Sequence, residues 1–249
     1  MPALRRPLNA LIAALVAASL LGAGAAAADE AAIRKNIAAR LPNFPAIDEV
    51  RKTPIPGLFE LRVGSNLFYA DDKGDHLIQG VLIDTVTRQN LTEARIEDIT
   101  RVDFASLPLK DAIVMKMGSG ERKLAVFEDP NCSYCRRFER DVQGMKNLTV
   151  YVFLYPILGP DSTAKSRNIW CAKDPVKAWR DWMLEGKEPP KSPASCDAAA
   201  VDRNVALGQK LQVGGTPERV FSSGVRKSGA LPVLVIRRYL AAAAAPAKN

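Results

Sequence analysis

The stretch KLAVFEDPNCSYCRRFERDVQGMKNLTVYVFLYPI, residues 123–157, predicts three consecutive elements of one folding unit. Its first six and last ten residues are mostly apolar runs of the kind found in buried strands. The segment between them has a helical pattern, with Phe138, Val142 and Met145 on neighbouring faces. A strand, a helix and a strand in this order predict a βαβ unit with a right-handed crossover.

Two cysteines, Cys132 and Cys135, stand where the first strand of this unit ends and its helix begins. Asp129 or Asn131 can cap the helix, whose N-terminal N–H groups and dipole favour an anion. We therefore expect a lowered pKa and an exposed thiolate at Cys132. Cys135 lies on the same face, one turn deeper, within reach for a disulfide. This asymmetry suits thiol–disulfide exchange, in which one thiolate attacks and a recessed thiol resolves the mixed disulfide.

Other uses of a C-x-x-C pair fit the sequence less well. A zinc ribbon needs a second closely spaced pair of ligands, but the other two cysteines lie far apart in the chain. The single histidine, His76, lies in a different predicted unit, which argues against a Cys–His hydrolase. A purely structural bridge would close a very small loop and stabilise little. We predict redox exchange at this pair, with no metal and no cofactor.

The remaining cysteines, Cys171 and Cys196, lie in a helical region on either side of a proline-rich loop. Nothing near either residue would activate its thiol. In an oxidising compartment a bridge between them would stabilise the fold by roughly 3 kcal/mol on chain-entropy grounds. Four cysteines allow three pairings, and joining Cys132 to Cys135 and Cys171 to Cys196 leaves each local unit intact.

The N-terminal 28 residues have the pattern of a secretory signal peptide. Arg5 and Arg6 precede an apolar run, and Ala-x-Ala at 26–28 is followed by charged, helix-forming sequence. An uncleaved membrane anchor is the alternative, because the run is nearly long enough to span a bilayer. After cleavage we expect a soluble, exported chain without stable membrane insertion. Its modest positive charge is spread out, which gives little support to nucleic-acid binding.

The mature chain begins with a predicted helix followed by a small sheet. Ile33, Ile37 and Leu41 recur at helical spacing, and prolines stop the helix. LFELRV, NLFYA and HLIQGVLIDT then predict an antiparallel meander with tight turns. So thin a sheet leaves edge strands unpaired, which favours pairing with a second copy. Residues 91–107 predict a connecting helix, with Asn90 or Thr92 as its cap; an ordinary helix within one domain is the alternative.

After the βαβ unit the sequence predicts a helix-rich insertion and a return to the sheet. The insertion contains helices at roughly 162–171, 175–185 and 198–211. GGTPERVFSSGVRKSG then predicts a hairpin around Ser223 and Gly224, and a last helix begins near Pro232.

Together these segments resemble the periplasmic DsbC/DsbG-type thiol:disulfide interchange proteins. The C-x-x-C motif alone indicates only a thioredoxin-like fold, whereas its combination with WCAKD, ASCD and GDHLIQG is specific. The resemblance covers essentially the whole mature chain, in the segments AAIRKNIAARLPNF (31–44), DDKGDHLIQGVLID (71–84), FEDPNCSYCRRF (127–138), NIWCAKDPVKAW (168–179), SPASCD (192–197) and GGTP (214–217).

The resemblance implies an α+β fold and a function. Together with the sequence patterns above, it assigns residues 1–28 to a signal peptide, 29–90 to a dimerisation domain, 91–108 to a linker helix and 109–249 to a thioredoxin-like catalytic domain with a helical insertion. Similar proteins reshuffle incorrect disulfides of misfolded exported proteins in the periplasm as homodimers. A DsbD-type membrane electron donor keeps them reduced. A dithiol oxidase, a dedicated thiol reductase and a chaperone-like binding module are the alternatives.

The resemblance also implies roles for individual residues. Thr216 and Pro217 match the family's threonine and cis-proline, which lie beside the cysteines and offer backbone groups to a substrate peptide. Ser133 and Tyr134, between the cysteines, are further substrate-binding candidates, and Tyr134 packs either on the client or in the core. Two features depart from the family pattern. Ser133 stands where the best-known members carry glycine, and the charged pair at 218–219 replaces expected apolar strand residues.

Overall fold

The computed structural model describes residues 29–244 of the chain. The predicted signal peptide, residues 1–28, lies outside the described residues. The chain divides into two compact units between Ile99 and Thr100. None of the helices in the described part combines the length and the apolar character needed to cross a bilayer.

The N-terminal unit packs one helix on an antiparallel sheet. Helix α1 is described over residues 29–40. Four strands follow, and each pairs with its neighbour in chain order, so that β1 and β4 form the edges. Ile33 and Ile37 of the helix pack on Phe59, Leu61 and Ala70 of the sheet. The strands are β1 (Glu49–Lys52), β2 (Leu58–Val63), β3 (Asn66–Asp71) and β4 (Leu77–Ile78).

Two details of this sheet differ from the sequence prediction. Strand β1 was not predicted, because its four residues are half-buried or exposed and have no apolar alternation. The predicted third strand, residues 76–85, is divided: only β4 joins the sheet, and β5 (Ile83–Asp84) pairs instead with β6 (Gln89–Asn90). An apolar run indicates extended backbone but does not say which partner each half will find.

The helix after this ribbon, α2 (Leu91–Ile99), is shorter than predicted. Its start agrees with the prediction, since the Asn90 side chain accepts a hydrogen bond from the Glu93 N–H at 2.9 Å. It ends at Ile99 rather than at Leu107 because the chain then joins the C-terminal unit. The Val102 N–H donates to the Gly224 carbonyl at 2.9 Å, and the Val102 side chain is buried in that unit's core.

The C-terminal unit is built on a five-stranded sheet. Its strand order is β11 (Arg226–Ser228), β10 (Glu218–Phe221), β8 (Arg122–Glu128), β9 (Leu148–Leu154) and β7 (Ile113–Met117). Among these neighbours only β8 and β9 run parallel. Helix α3 (Ser133–Gln143) connects these two central strands, as the βαβ prediction requires. The edge strand β7 was not predicted; it buries Ile113 and Met115 and leaves Val114 exposed.

Helices cover both faces of this sheet. One face packs against α3, α5 (Pro175–Glu185) and α7 (Val233–Ala244) around Leu124, Val126 and Phe138. The other face packs against α6 (Ala199–Lys210) around Phe127 and Phe153. The predicted insertion consists of α4 (Pro160–Trp170), α5 and α6, and α7 follows the hairpin. The α+β class and the thioredoxin-like arrangement of the second unit are confirmed.

Candidate active site

The cysteine pair lies at the start of α3, directly after β8. Cys132 is itself the N-cap residue, because its sulfur accepts a hydrogen bond from the Cys135 N–H at 3.2 Å. The prediction that Asp129 or Asn131 caps this helix is therefore wrong. Cys132 is also less exposed than expected, at 5% of its surface, and Cys135 is fully buried. Both thiols are free.

The surroundings shift the pKa values of the two thiols in opposite directions. Hydrogen bonding from the Cys135 side chain is the largest influence on Cys132 and lowers its pKa to about 6, against the opposing effect of burial. The Thr216 side chain and the backbone N–H groups of Cys135 and Tyr134 add to this lowering. Burial, together with the neighbouring Cys132 and Glu128, raises the pKa of Cys135 far above that of a free thiol. One thiolate and one thiol therefore face each other near neutral pH.

The loop before β10 lies against the attacking position. The Thr216–Pro217 peptide bond is cis, and the Cys132 thiol donates to the Thr216 carbonyl oxygen at 3.3 Å. The structure thus brings Thr216 and Pro217 to the cysteine pair from a position 84 residues away in the chain.

A buried carboxylate that the sequence analysis considered only as a cap holds this region together. Asp129 accepts four hydrogen bonds: from the Asn131 N–H at 2.8 Å, the Ile157 N–H at 2.8 Å, the Leu158 N–H at 2.9 Å and the Ser162 hydroxyl at 2.7 Å. It therefore fixes the cysteine loop to the loop after β9. In the sequence, Asp129 follows an apolar strand and precedes Pro130, a pattern that indicates a helix cap. The pattern gives no indication that Asp129 also binds the loop after β9.

Three large apolar side chains are exposed in the first turn of α3 and on the loop after β9. Tyr134 is 57% exposed, Ile157 40% and Leu158 57%. Ser133, between the cysteines, is exposed as well. The exposure of Tyr134 excludes the alternative that it packs in the core. Ile157 and Leu158 were missed by the sequence analysis, because an apolar strand end looks the same whether its last residues are covered or not.

Cys171 and Cys196 are joined by a disulfide with a Cα–Cα distance of 6.0 Å. Cys171 caps the C-terminus of α4, and Cys196 lies in the segment that leads to α6. The bond therefore ties two parts of the helical insertion together and leaves the other two cysteines free for exchange.

Comparison with known proteins agrees with this geometry. Residues 24–93 match the disulfide bond isomerase protein N-terminal domain, and residues 109–244 match the thioredoxin-like domain. The probable thiol:disulfide interchange protein DsbC of Bordetella pertussis is 50% identical over 201 residues, which cover 81% of this chain and 70% of the relative. The chain belongs to the DsbC family of thiol:disulfide interchange proteins.

One further relative and one solved structure are also similar to the chain. DsbC of Escherichia coli strain K12 is 32% identical over 221 residues, covering 87% of this chain and 89% of the relative. A solved disulfide interchange protein from Neisseria gonorrhoeae is 38% identical, with a TM-score of 0.51, and covers 55% of this chain and 97% of that chain.

The two charged residues that depart from the DsbC pattern are buried. Glu218 is 2% exposed and accepts a hydrogen bond from Arg226 at 2.8 Å, which forms an ion pair across the β10–β11 hairpin. Arg219 is 1% exposed, and its guanidinium carbon lies 4.6 Å from the centre of the Phe138 ring. Both positions are therefore buried in strand β10, as apolar residues of the family pattern would be, but they carry charged side chains.

Proposed function

We propose that Cys132 is the attacking thiolate and Cys135 the resolving thiol of a protein disulfide isomerase. The observation that carries this proposal is the opposite pKa shift of the two sulfurs beside the Thr216–Pro217 peptide. A pKa of about 6 leaves Cys132 mostly ionised at neutral pH, and the thiolate is the reactive form. Because little of the Cys132 surface is exposed, the thiolate can attack only a disulfide that binds directly against the cysteine loop.

The exchange proceeds through one mixed disulfide. The Cys132 thiolate attacks a client disulfide, forms a bond to one client sulfur and releases the other as a thiolate. A client thiolate then attacks the mixed disulfide, which forms a new client disulfide and restores Cys132. Alternatively, Cys135 loses its proton and attacks Cys132, which releases the client reduced and leaves the Cys132–Cys135 disulfide.

The exposed apolar rim is the proposed client-binding surface. Tyr134 lies between the two cysteines in the chain, and Ile157 and Leu158 lie on the loop that Asp129 fixes to the cysteine loop. Thr216 and Pro217 supply backbone beside the Cys132 sulfur. Misfolded chains expose apolar side chains, so a rim of this character suits them better than it suits a single folded partner. We include Ser133 as a contact because of its exposure between the two sulfurs.

The test is the recovery of activity by a scrambled, fully oxidised multi-disulfide protein incubated with the pre-reduced mature chain. We expect Cys132→Ser to abolish recovery. A Tyr134→Ala, Leu158→Ala double variant should raise KM several-fold and leave the alkylation rate of Cys132 unchanged. Recovery that survives in Cys132→Ser would contradict the proposal. So would absent recovery by the wild type combined with rapid oxidation of reduced proteins, which would indicate an oxidase.

We also propose the cellular setting that the family resemblance implies. Residues 1–28 act as a cleaved signal peptide, and the mature chain works in the periplasm. Residues 29–90 dimerise, residues 91–108 link the domains, and residues 109–249 carry the catalysis. A DsbD-type membrane electron donor returns the Cys132–Cys135 disulfide to the dithiol. The redox state of this pair in cells with and without such a donor tests the last point: the pair should accumulate as a disulfide when the donor is absent.

A further inference from the structure

Three charged side chains lie buried behind the cysteine pair. Glu128 and Glu139 are fully buried, and Arg219 is 1% exposed. Glu128 is the last residue of β8, and Arg219 lies in β10 opposite Val126. Because strand side chains alternate between faces, Glu128, Val126 and Arg219 share the face that α3 covers. Glu139 reaches the same region from α3, so three elements each contribute one charge.

Few hydrogen bonds compensate for this burial. The Trp179 indole N–H donates to Glu139 Oε1 at 2.9 Å, and Arg219 Nη1 donates to the Gly229 carbonyl at 2.6 Å. With both carboxyls ionised, the two oxygens of Glu128, Oε2 of Glu139 and Nε of Arg219 have no hydrogen-bond partner among the described residues. A proton on either carboxyl allows Glu128 and Glu139 to hydrogen-bond to each other. An unpaired buried polar group is costly, and a buried charge more so. Such groups therefore call for a functional explanation.

The charges balance only if the two carboxyl groups hold one proton between them. Burial raises the pKa of both carboxyls, and proximity to Glu139 raises that of Glu128 further. Two carboxylates with one guanidinium would leave an uncompensated buried negative charge, whereas one proton on the pair leaves a net charge of zero. The other charged or titratable groups that face the three residues are Arg180, Glu218, Asp141, Cys132 and Cys135.

Cys135 needs a proton acceptor. It is buried, its pKa is raised, and it must become a thiolate before it can attack the mixed disulfide. It belongs to the same buried cluster as Phe138, against which Arg219 packs, and the charges of Glu128 and Arg219 both act on it. No water-exposed base is available at a fully buried sulfur.

We propose that the Glu128–Glu139 pair accepts the proton of Cys135 when this thiol resolves the mixed disulfide, and that Arg219 is the positioning residue that makes the transfer possible. The Cys135 S–H bond breaks, its proton passes to the carboxyl pair, and its sulfur bonds to Cys132 while the client sulfur leaves as a thiolate. The electrons pass from the dithiol to the client, so no further oxidant is required.

Arg219 keeps the buried charge constant during this step. Before transfer the pair carries one negative charge and Cys135 none; after transfer the pair is neutral and the sulfur is negative. The guanidinium compensates one negative charge in both states, so the proton moves without adding net charge to a region of low dielectric. The inference rests on the proposed role of Cys135 as the resolving thiol.

The experiment follows the two thiol steps separately. Reduced protein is mixed with excess dithiobis(nitrobenzoate): attack by Cys132 releases one coloured thiolate, and resolution by Cys135 releases the second. We expect Glu128→Gln to slow the second phase about 100-fold near neutral pH, in the range lost with a positioned proton-transfer group. The wild-type second phase should rise with pH through an inflection above the ordinary carboxyl range, and Glu128→Gln should lack this inflection.

Three further variants make the outcome decisive. Glu139→Gln should slow the second phase in the same way, and it decides the matter if Glu128→Gln does not fold. Arg219→Met should shift the inflection to higher pH, because the pair then holds its second proton more tightly, and Arg219→Lys should restore part of the rate. Asp111→Asn is the matched control: it removes another buried carboxylate, paired with Arg203 at 2.6 Å, and should leave both phases unchanged.

Two results would overturn the inference. A second phase with unchanged rate and pH profile in Glu128→Gln and Glu139→Gln would mean that the pair takes no proton from Cys135. A faster second phase would mean that the carboxyls only oppose the Cys135 thiolate by repulsion. A missing first phase in the wild type would instead contradict the proposed function, since that phase depends on Cys132 alone.

Discussion

Cys132 is both the reactive group of the site and a structural part of helix α3. Its sulfur occupies the position in which serine or aspartate usually caps a helix, so the N-terminal N–H groups that need an acceptor also stabilise the thiolate. The same sulfur faces the Thr216 carbonyl, to which it donates a hydrogen bond when it is a thiol. Cys135, one turn further, has only the buried interior around it.

Alkylation should distinguish the two thiols. The thiolate is the form that reacts, so the rate of Cys132 modification by iodoacetamide should rise with pH to a half-maximal value near pH 6. Cys135 should stay unmodified until the protein unfolds, because burial raises its pKa. Mass spectrometry after a pH series measures both rates, and Cys135→Ser is the control for Cys132 alone. Equal reactivity of the two thiols would contradict the assignment.

Asp129 is the residue whose loss should damage the site most without touching a sulfur. Asp129→Ala leaves four donors without their shared acceptor, two of them in the loop that presents Ile157 and Leu158. We expect the free energy of unfolding to fall by about 3 kcal/mol or more, measured by urea denaturation. Asp98→Asn, an exposed carboxylate in the other unit, should change it by less than about 0.5 kcal/mol.

At this scale the sequence identified the residues with a local signature and missed those without one. The C-x-x-C spacing and the strand–helix boundary were enough to predict the asymmetry of Cys132 and Cys135. Glu128 was not singled out, although a charge at the end of an apolar strand is a signal that could have identified it. No local pattern could reveal that the charge of Arg219, distant in sequence, acts on Glu128, because Arg219 is placed on the same sheet face by the register of β10 against β8.

Among the elements, the helical insertion depends on its disulfide. The Cys171–Cys196 bond closes a loop with a sequence separation of 25 that contains α5 and the proline-rich segment after it. Replacing both cysteines by alanine should lower the free energy of unfolding by roughly 3 kcal/mol. Urea denaturation of the double variant measures the loss, and its Cys132 alkylation rate should match the wild type. An unchanged midpoint would mean that packing alone holds the insertion.

The helices were predicted more accurately than the strands, for a physical reason. Helix α5 begins at Pro175 after the capping Asp174 and ends at Gly186, which adopts a φ of 70°, so both of its ends are encoded locally. Strands β1 and β7 lie at sheet edges, where half of the side chains face solvent and the pattern weakens. Helix α2 was predicted too long because Val102 continues its apolar spacing while packing elsewhere.

At the scale of the whole molecule, the N-terminal unit has the surface expected of a dimerisation domain. Four apolar side chains between residues 78 and 86 are exposed: Ile78 at 51%, Val81 at 64%, Ile83 at 51% and Val86 at 91%. They lie in or shortly after the edge strand β4, which has no further strand beside it in the sheet order of the described residues.

We therefore expect the mature chain to sediment as a dimer and a Val81→Asp, Ile83→Asp variant to sediment as a monomer. Desolvating two carboxylates at an apolar interface should outweigh the gain from the remaining contacts. Analytical ultracentrifugation measures the mass. Leu234→Asp, at an exposed apolar position of the other unit, is the control and should remain dimeric. A wild-type monomer, or a dimer that survives both aspartates, would contradict the assignment.

Trp182 gives the molecule an internal optical reporter. Its indole N–H donates to the Pro130 carbonyl at 2.6 Å, two residues before the reactive cysteine, and the cations of Arg136 and Lys165 lie 4.5 and 4.6 Å from its ring centre. Any shift of the 130–136 segment when the Cys132–Cys135 bond forms must change the field around this indole. The fluorescence of the unlabelled protein should therefore change with its oxidation state, and a Trp182→Phe variant should lose most of that change.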